Sequence, residues 1–502
     1  MLLQGNRGSR SVELRGRSLS LGPFQGFCQN HIGFRHGVFG SLSFLLFSLA
    51  TPAASFAAPA GLRPNILVIM TDDQSHDTVS SQFMPITKAE IADEGLTAAN
   101  FVMPTALCCP SRASFLTGKY QHNAGVYGNH DHLIGPTVVN ALHDAGYFTG
   151  LSGKYLNSWP GTPRPEFDFW AGWITGYVNP MLNLQGEARE VPGYMTYLLR
   201  DQAVAFLDKV PPQKPFFLLF APHAPHKPAI PAPGDEKLYS DLPRWRPHSF
   251  NPRKQADKPA WLANKKMLTN KQIELKVDEF RLDQLRCLHS TDIAVGDILK
   301  KLRQQGKLDN TFVVYYSDNG YFWGEHRLLF KNRVYEEASH GPFLVRYPPL
   351  IPQPRTERRL IGVIDLAPTF YDLAGIPPPS DIDGRSLLPL LTGTDNWRTG
   401  ILLEGWRGQG KRAQAEKEEE QEEEREADSA SLEQHRSNPP NDIPENYRAI
   451  RTEEFIYVET VADKPELYDL QRDPLQMHNL ISNPFYARTV AELRKRLHEE
   501  KL

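Results

Sequence analysis

Two short apolar runs in this chain end abruptly in oxygen-bearing side chains: 65–71 is followed by Asp72-Asp73, and 312–317 by Asp318-Asn319. Carboxylate and carboxamide oxygens are hard donors, and such a set on two strand-end loops suits Ca²⁺ better than Zn²⁺. No cluster of thiolates or imidazoles competes for a softer metal. Taken alone, an Asp-Asp step also caps a helix or faces solvent, so both readings stand at this point. A third run, 216–221, leads into Pro222-His223-Ala224-Pro225-His226, and histidine is the side chain that titrates nearest neutral pH. The thiol chemistry is concentrated in Cys108-Cys109-Pro110-Ser111-Arg112. A cysteine beside a proline commonly packs as a small apolar residue in a turn. A vicinal Cys108–Cys109 disulfide would be strained, and Cys109 reads as packing.

The three runs have the pattern of strands buried on both faces. In open α/β sheets, sites form outside the carboxyl ends of parallel strands, so the three loops are expected to converge. Over 278–306, Leu285, Leu288, Val295, Leu299 and Leu302 recur at helical spacing, which predicts a helix with one apolar face. Cys287 and His289 lie on it and read as packing. Helices also fit 85–94, 138–145 and 195–210. The alternation predicts an α/β fold, a mostly parallel sheet flanked by helices on both sides, closing near Thr392. A smaller C-terminal α+β subdomain is expected over 393–502, with short antiparallel strands at 447–451, 455–461 and 467–470 and a closing helix at 485–497. Within it lies an acidic insertion, 411–436, whose core at 416–426 has no apolar residue to bury. It reads as a solvated helix or a disordered segment, with only composition in favour of a cation- or partner-binding role.

The 502 residues, 40% hydrophobic and 23% charged, have the composition of a globular protein with one large core and a smaller companion. Residues 1–57 read as a secretory signal peptide: Arg7, Arg10, Arg15, Arg17 and Arg35 precede the apolar run 38–50 and a small-residue cleavage site near Ala57. That run is shorter than the ~20 residues that span a bilayer, so no stable membrane insertion is expected after cleavage. Cleavage removes those arginines and Glu13 and takes the net charge from −3 to −7, which gives no electrostatic reason to bind nucleic acid. Only Cys108, Cys109 and Cys287 remain, too few for a disulfide scaffold. An exported protein is expected, periplasmic, extracellular or lysosomal.

From Cys108, the run Cys-Cys-Pro-Ser-Arg-Ala-Ser-Phe-Leu-Thr-Gly-Lys119 resembles the activation signature of the type I sulfatases. Gly146 to Leu156, Asp292 to Gly296, Asp309-Asn310-Thr311 and Ser317-Asp318-Asn319-Gly320 resemble further family segments. So does the tail around Tyr468-Asp469-Leu470, Asp473-Pro474 and His478-Asn479-Leu480. The resemblance covers nearly the whole mature chain. It implies an alkaline-phosphatase-like catalytic domain over 58–392, in which a formylglycine-generating maturation enzyme converts Cys108 to Cα-formylglycine. The hydrate of that aldehyde would attack sulfur. The resemblance also turns the oxygen donors into a site for one Ca²⁺ per chain, held by Asp72, Asp73, Asp318, Asn319 and the converted Cys108. Arg112 would brace the formylglycine, Lys154 and Lys331 would contact sulfate oxygens, and His226 would give a proton to the departing alcohol. His223 is either a second ligand or a loop residue. One departure stands out: many members carry histidine two residues after the signature lysine, where this chain has Leu156. Asn157, His122 and His340 are the candidates for the missing base.

The motifs look most like the branch of glucosamine-6-sulfatases and related arylsulfatase-like and polysaccharide sulfatases, so a sulfated carbohydrate or aryl sulfate is the expected substrate. Specificity is expected in variable loops at 158–192 and 231–265, where Trp159, Trp170, Trp173 and Trp245 either stack on sugar faces or pack the loops. Two rivals remain: a phosphomonoesterase or phosphodiesterase of the same superfamily, and a non-catalytic protein that binds sulfated glycans.

Overall fold

The computed structural model describes residues 63–157, 159, 161–393, 396–406, 446–461 and 463–499. The run Asn65–Thr71 forms strand β1, buried along its whole length. It lies inside a ten-stranded sheet. The other strands, in chain order, are β2 (Leu96–Ala98), β3 (Phe148–Gly153), β4 (Phe169–Thr175), β5 (Met181–Leu184), β6 (Glu187–Glu190), β7 (Phe216–Ala221), β8 (Thr311–Ser317), β9 (Phe343–Arg346) and β10 (Arg355–Glu357). Their spatial order is β10-β2-β9-β8-β1-β7-β3-β4-β5-β6. The strands β8, β1, β7, β3 and β4 are mutually parallel, with Thr71 opposite Ser317 and Gly153 opposite Ala221. Strands β9 and β5 run against their neighbours. The four strands β8, β1, β7 and β3 are adjacent and parallel, so the loops at their carboxyl ends emerge side by side.

Successive side chains of β1 serve two cores, as a period of two requires. Ile66, Val68 and Met70 pack toward helices α1 (Cys108–Thr117), α2 (Val138–Asp144) and α5 (Leu366–Ala374). Leu67 and Ile69 pack toward α3 (Met195–Lys209) and α4 (Phe280–Gln304). On α4 the expected apolar face is buried, with Leu285, Leu288, Val295, Leu299 and Leu302 at 1% exposure or less. Each contributes about 1.5–3 kcal/mol of burial. Cys287 is also buried, its thiol facing the Ile230 carbonyl at 3.3 Å.

Two expectations are corrected. The helix expected at 85–94 is a single α-turn, Pro85–Thr87, running into a π-helical stretch, Lys88–Ala92. Its opening N–H groups are satisfied from outside, because Asp292 on α4 accepts from Ile86 N at 3.0 Å and Thr87 N at 2.6 Å. Gly296, one turn further along α4, leaves room for Ile86: a Cβ there would stand 3.0 Å from its Cγ2. The Asp292–Gly296 motif is thus a packing device. The segment 158–192 is not simply loop, since it contains β4, β5 and β6, which extend the sheet at one edge.

The C-terminal part is a small antiparallel sheet of β11 (Ile401–Gly405), β12 (Tyr447–Arg451), β13 (Phe455–Thr460) and β14 (Glu466–Asp469). Helix α6 (Ala487–Glu499) covers one face, with Leu493 and Leu497 on Leu402, Ile450, Tyr457 and Leu467. Strand β11 ends at Gly405, paired with Tyr447 of β12. The expected signal peptide at 1–57 and the acidic insertion at 411–436 lie outside the described residues.

The turn out of β3 has little freedom. Gly153 has φ +131, and a Cβ there would meet the Ala221 carbonyl oxygen at 2.0 Å. Gly153→Ala is expected to cost about 2–4 kcal/mol through strain at a forbidden backbone geometry. A urea titration that finds an unchanged midpoint would contradict this.

Candidate active site

Each of the four adjacent parallel strands delivers polar residues to the same edge. Asp72 and Asp73 follow β1, Asp318 and Asn319 follow β8, His223 and His226 follow β7, and Lys154 follows β3. Asp73 takes a left-handed backbone, φ 64, a conformation that aspartate tolerates better than most residues. Helix α1 begins over this edge, with Cys108 in its first turn and Arg112 one turn on, on the same helix face.

All nine residues singled out for the site from sequence meet there. The Cys108 thiol lies 3.3 Å from Asp72 Oδ1, 4.0 Å from Asp73 Oδ1 and 3.2 Å from Lys331 Nζ. Arg112 donates from Nε to Asp318 Oδ2 at 2.7 Å, from Nη2 to Asp72 Oδ2 at 3.2 Å and from Nη1 to the Lys154 carbonyl at 2.9 Å. Lys154 Nζ donates to Asp72 Oδ2 at 2.5 Å, and Lys331 Nζ to both Asp73 oxygens at 2.7 and 2.8 Å. Asn319 donates to Asp73 Oδ1 at 2.6 Å, while its own buried Oδ1 has no hydrogen-bond partner. His226 Nε2 is 3.5 Å from Asp73 Oδ2. Ligand atoms of Asp72, Asp73, Cys108 and His226 all fall within 4.8 Å of one another.

Three carboxylates (Asp72, Asp73, Asp318) therefore face three cations (Arg112, Lys154, Lys331), and their formal charges cancel. The balance is uneven from group to group. Burial would raise Asp72, but Lys154, His226 and Arg112 together hold it well below the usual carboxylate range. Burial pushes Asp73 up against the pull of Lys331, and lifts Asp318 to about 6, with Asp72 adding to the effect. Burial, reinforced by Asp72, also raises the Cys108 thiol well above its ordinary value. Such a thiol is neutral at physiological pH and a poor nucleophile as it stands.

His223 is drawn into the site: its Nδ1 lies 3.4 Å from Asp72 Oδ2, and its ring stacks on Trp173 with centroids 4.0 Å apart. Burial lowers its pKa to about 4 and also lowers that of His226, where Lys331 adds to the effect. The Trp173 platform was not separable from the other tryptophans in the sequence. Trp170 belongs to the core, 1% exposed with its indole donating to the Gly161 carbonyl at 3.0 Å. Trp159 donates to the Thr162 carbonyl at 2.8 Å, and Trp245 bonds Glu325.

Two of the candidates for the missing base, His122 and His340, have other engagements. Leu156 itself is 5% exposed and packs in the main core. His122 faces Glu404 at 2.8 Å, and His340 stacks on His76, with centroids 4.7 Å apart, beside Glu336. Asn157 keeps a buried Oδ1 without a hydrogen-bond partner.

The sulfatase family profile matches residues 64–376. The chain belongs to the sulfatase family. Human N-acetylglucosamine-6-sulfatase is 34% identical over 414 residues, which cover 75% of this chain and 73% of that relative. The N-acetylglucosamine-6-O-sulfatase of Bacteroides thetaiotaomicron is 28% identical over 510 residues, 87% of this chain and 86% of the relative. A solved structure holding its substrate D-glucosamine-2-N,6-O-disulfate superposes with a TM-score of 0.72 at 27% identity, covering 87% of this chain and 97% of that one. This sulfatase has the alkaline-phosphatase-like architecture and is a sulfuric ester hydrolase.

His340 gives the sulfatase a pH-dependent stability term away from Asp72, Asp73 and Asp318. Burial and the neighbouring His76 lower its pKa from 6.5 to about 3. Below its ordinary value the unfolded chain takes up a proton that the folded chain refuses. The ring therefore supports folding above that value, and the support drains away as pH falls toward the lowered one. His340→Gln is expected to lose less Tm than the native protein between about pH 7 and about pH 4.5. Equal losses in a calorimetric scan would remove this linkage.

Proposed function

We propose that this sulfatase cleaves the sulfate ester of a sulfated amino sugar, with glucosamine 6-sulfate units the first choice, using Cys108 as formylglycine and one Ca²⁺. The observation that carries the reading is the convergence of Asp72, Asp73 and Lys331 on the Cys108 sulfur, within 3.2–4.0 Å. The sugar class rests on the named relatives and on the sulfated glucosamine held by the solved neighbour.

The donor chemistry fits calcium. Asp72, Asp73 and Asp318 offer carboxylates, and the partnerless buried Oδ1 of Asn319 is an acceptor that a cation would satisfy. Bound there, the ion would polarise the ester oxygen. Formylglycine would supply a hydrated aldehyde as nucleophile, which the neutral thiol cannot replace.

The remaining steps belong to side chains. Arg112 spans Asp72 and Asp318 and keeps both in place. Lys154 and Lys331 neutralise carboxylates in the free site and are the groups to hold sulfate oxygens. A divalent cation added to a balanced set of three anions and three cations leaves the pocket positive, which favours an anionic ester. His226 Nδ1 faces the Lys227 carbonyl at 2.8 Å, an acceptor only, so it carries the hydrogen of the neutral ring; Nε2, 3.5 Å from Asp73 Oδ2, must first take up a second proton, and the imidazolium so formed is the species that gives it to the leaving oxygen.

We further propose that residues 58–392 form the catalytic domain and 393–502 its subdomain, and that 1–57 export the chain to a periplasmic, extracellular or lysosomal site. The modification would be made by a formylglycine-generating enzyme. Among the described residues no helix is long and apolar enough to cross a membrane.

Protein made with a maturation enzyme should show formylglycine at position 108 by peptide mass spectrometry. It should release sulfate from glucosamine 6-sulfate and p-nitrophenyl sulfate in preference to phosphate from p-nitrophenyl phosphate. Cys108→Ala should lower kcat by about 10³-fold or more. An active preparation with only unmodified cysteine sinks the nucleophile, and a preference for phosphate sinks the substrate class. Chelation should abolish turnover, with Ca²⁺ restoring it; chelator-resistant activity would remove the metal.

A further inference from the structure

Helix α4 reads from sequence as packing, yet one buried polar side chain on it reaches toward the site. Gln284, 1% exposed, donates from Nε2 to the main-chain oxygens of Asp73 at 3.3 Å and Pro225 at 3.2 Å. Its Oε1 accepts from the Trp323 indole at 2.5 Å. An indole only donates, so Trp323 fixes which end of the carboxamide is oxygen and turns both amide hydrogens to the two carbonyls. One donor pair and one acceptor are thereby matched by two acceptors and one donor.

The three partners belong to three segments that carry site residues. Asp73 lies in the loop after β1. Pro225 lies between His223 and His226 in the loop after β7. Trp323 sits in the strand pair Phe322–Trp323 and Leu329–Phe330, which leads directly into Lys331. The β1 and β7 loops also share a backbone hydrogen bond, Asp72 N to the Ala224 carbonyl, at a long 3.3 Å.

We propose that Gln284 is a positioning residue that sets the reach of His226 relative to Asp73, and through it the delivery of a proton to the departing alcohol. The proposal rests on the sulfatase reading of His226 given above. His226 Nε2 stands 3.5 Å from Asp73 Oδ2, and each belongs to a loop whose carbonyl Gln284 holds. Gln284→Met keeps the shape and removes the donors. Gln284→Glu sets a second oxygen against both carbonyls.

The test is dependence on the leaving group, because a sugar alcohol must be protonated to depart and an acidic phenol need not be. With full-length, Cys108-converted enzyme, Gln284→Met is expected to lower kcat about 10- to 100-fold on glucosamine 6-sulfate and under about threefold on p-nitrophenyl sulfate, with KM little changed. In a His226→Asn background the same substitution should add little further loss. Trp323→Phe removes the donor that orients the carboxamide and should give the same selective loss in smaller measure; it decides the matter if Gln284→Met does not fold. Equal losses on the two esters, or full additivity with His226→Asn, would overturn the positioning role and leave the sulfatase reading intact. If His226→Asn alone costs both esters equally, His226 is not the acid, and the reading beneath the proposal fails first.

Discussion

Three buried carboxylates and three buried cations around one cysteine are the constraint on which the site depends. Neither set is tolerable alone in an interior of low polarity, where an uncompensated charge costs several kcal/mol. Arg112 shows the coupling most clearly: with no exposed surface, it is held by Asp72, Asp318 and the Lys154 carbonyl at once. Charge compensation of this kind consumes stability that apolar packing elsewhere must supply. The cores on the two faces of the sheet, with β1 buried along its full length, are where that supply comes from.

The sheet decides where those charges can meet. Parallel neighbours end at one edge, so residues distant in sequence, such as Asp72 and Asp318, become adjacent when Thr71 pairs with Ser317. Helix α1 then crosses that edge and brings Cys108 and Arg112 on one face. Trp173, on the extension strand β4, stacks on His223 and links the sheet's added edge to the histidine loop. Most of the charged groups gathered at the site thus sit on strand ends and a helix terminus held by the cores, with Lys331 following a short strand pair.

Much of this was legible in the chain itself. Continuous apolar runs that exit into Asp-Asp, Asp-Asn or Pro-His announce buried strands with polar exits, and β1, β8 and β7 follow those runs within a residue. The apolar face of α4 is visible because five leucine and valine positions keep helical spacing. Other parts left weaker marks. Strand β5 is only four residues long, half-buried with Asn183 in its middle, and β6 is exposed throughout, so neither forms an apolar run that stands out from loop. The stretch 85–94 has helical composition, but its opening is set by Asp292, two hundred residues away in sequence. Gln284 is invisible for the same reason: a glutamine on an amphipathic helix has no local signature of the carbonyls it holds. Lys331 was placed by family resemblance, and its neighbourhood of positive-φ residues, Phe330 and Asn332, shows why local propensity gives little guidance there.

The pairing of Gly405 with Tyr447 has a practical consequence for the chain between them. An excursion that leaves from one strand and re-enters on its hydrogen-bonded neighbour starts and finishes at nearly the same point. Its length is then almost free thermodynamically, since doubling such a loop adds only about 0.6 kcal/mol of closure entropy. The pairing of β11 with β12 therefore sets no length requirement of its own on the connection between them.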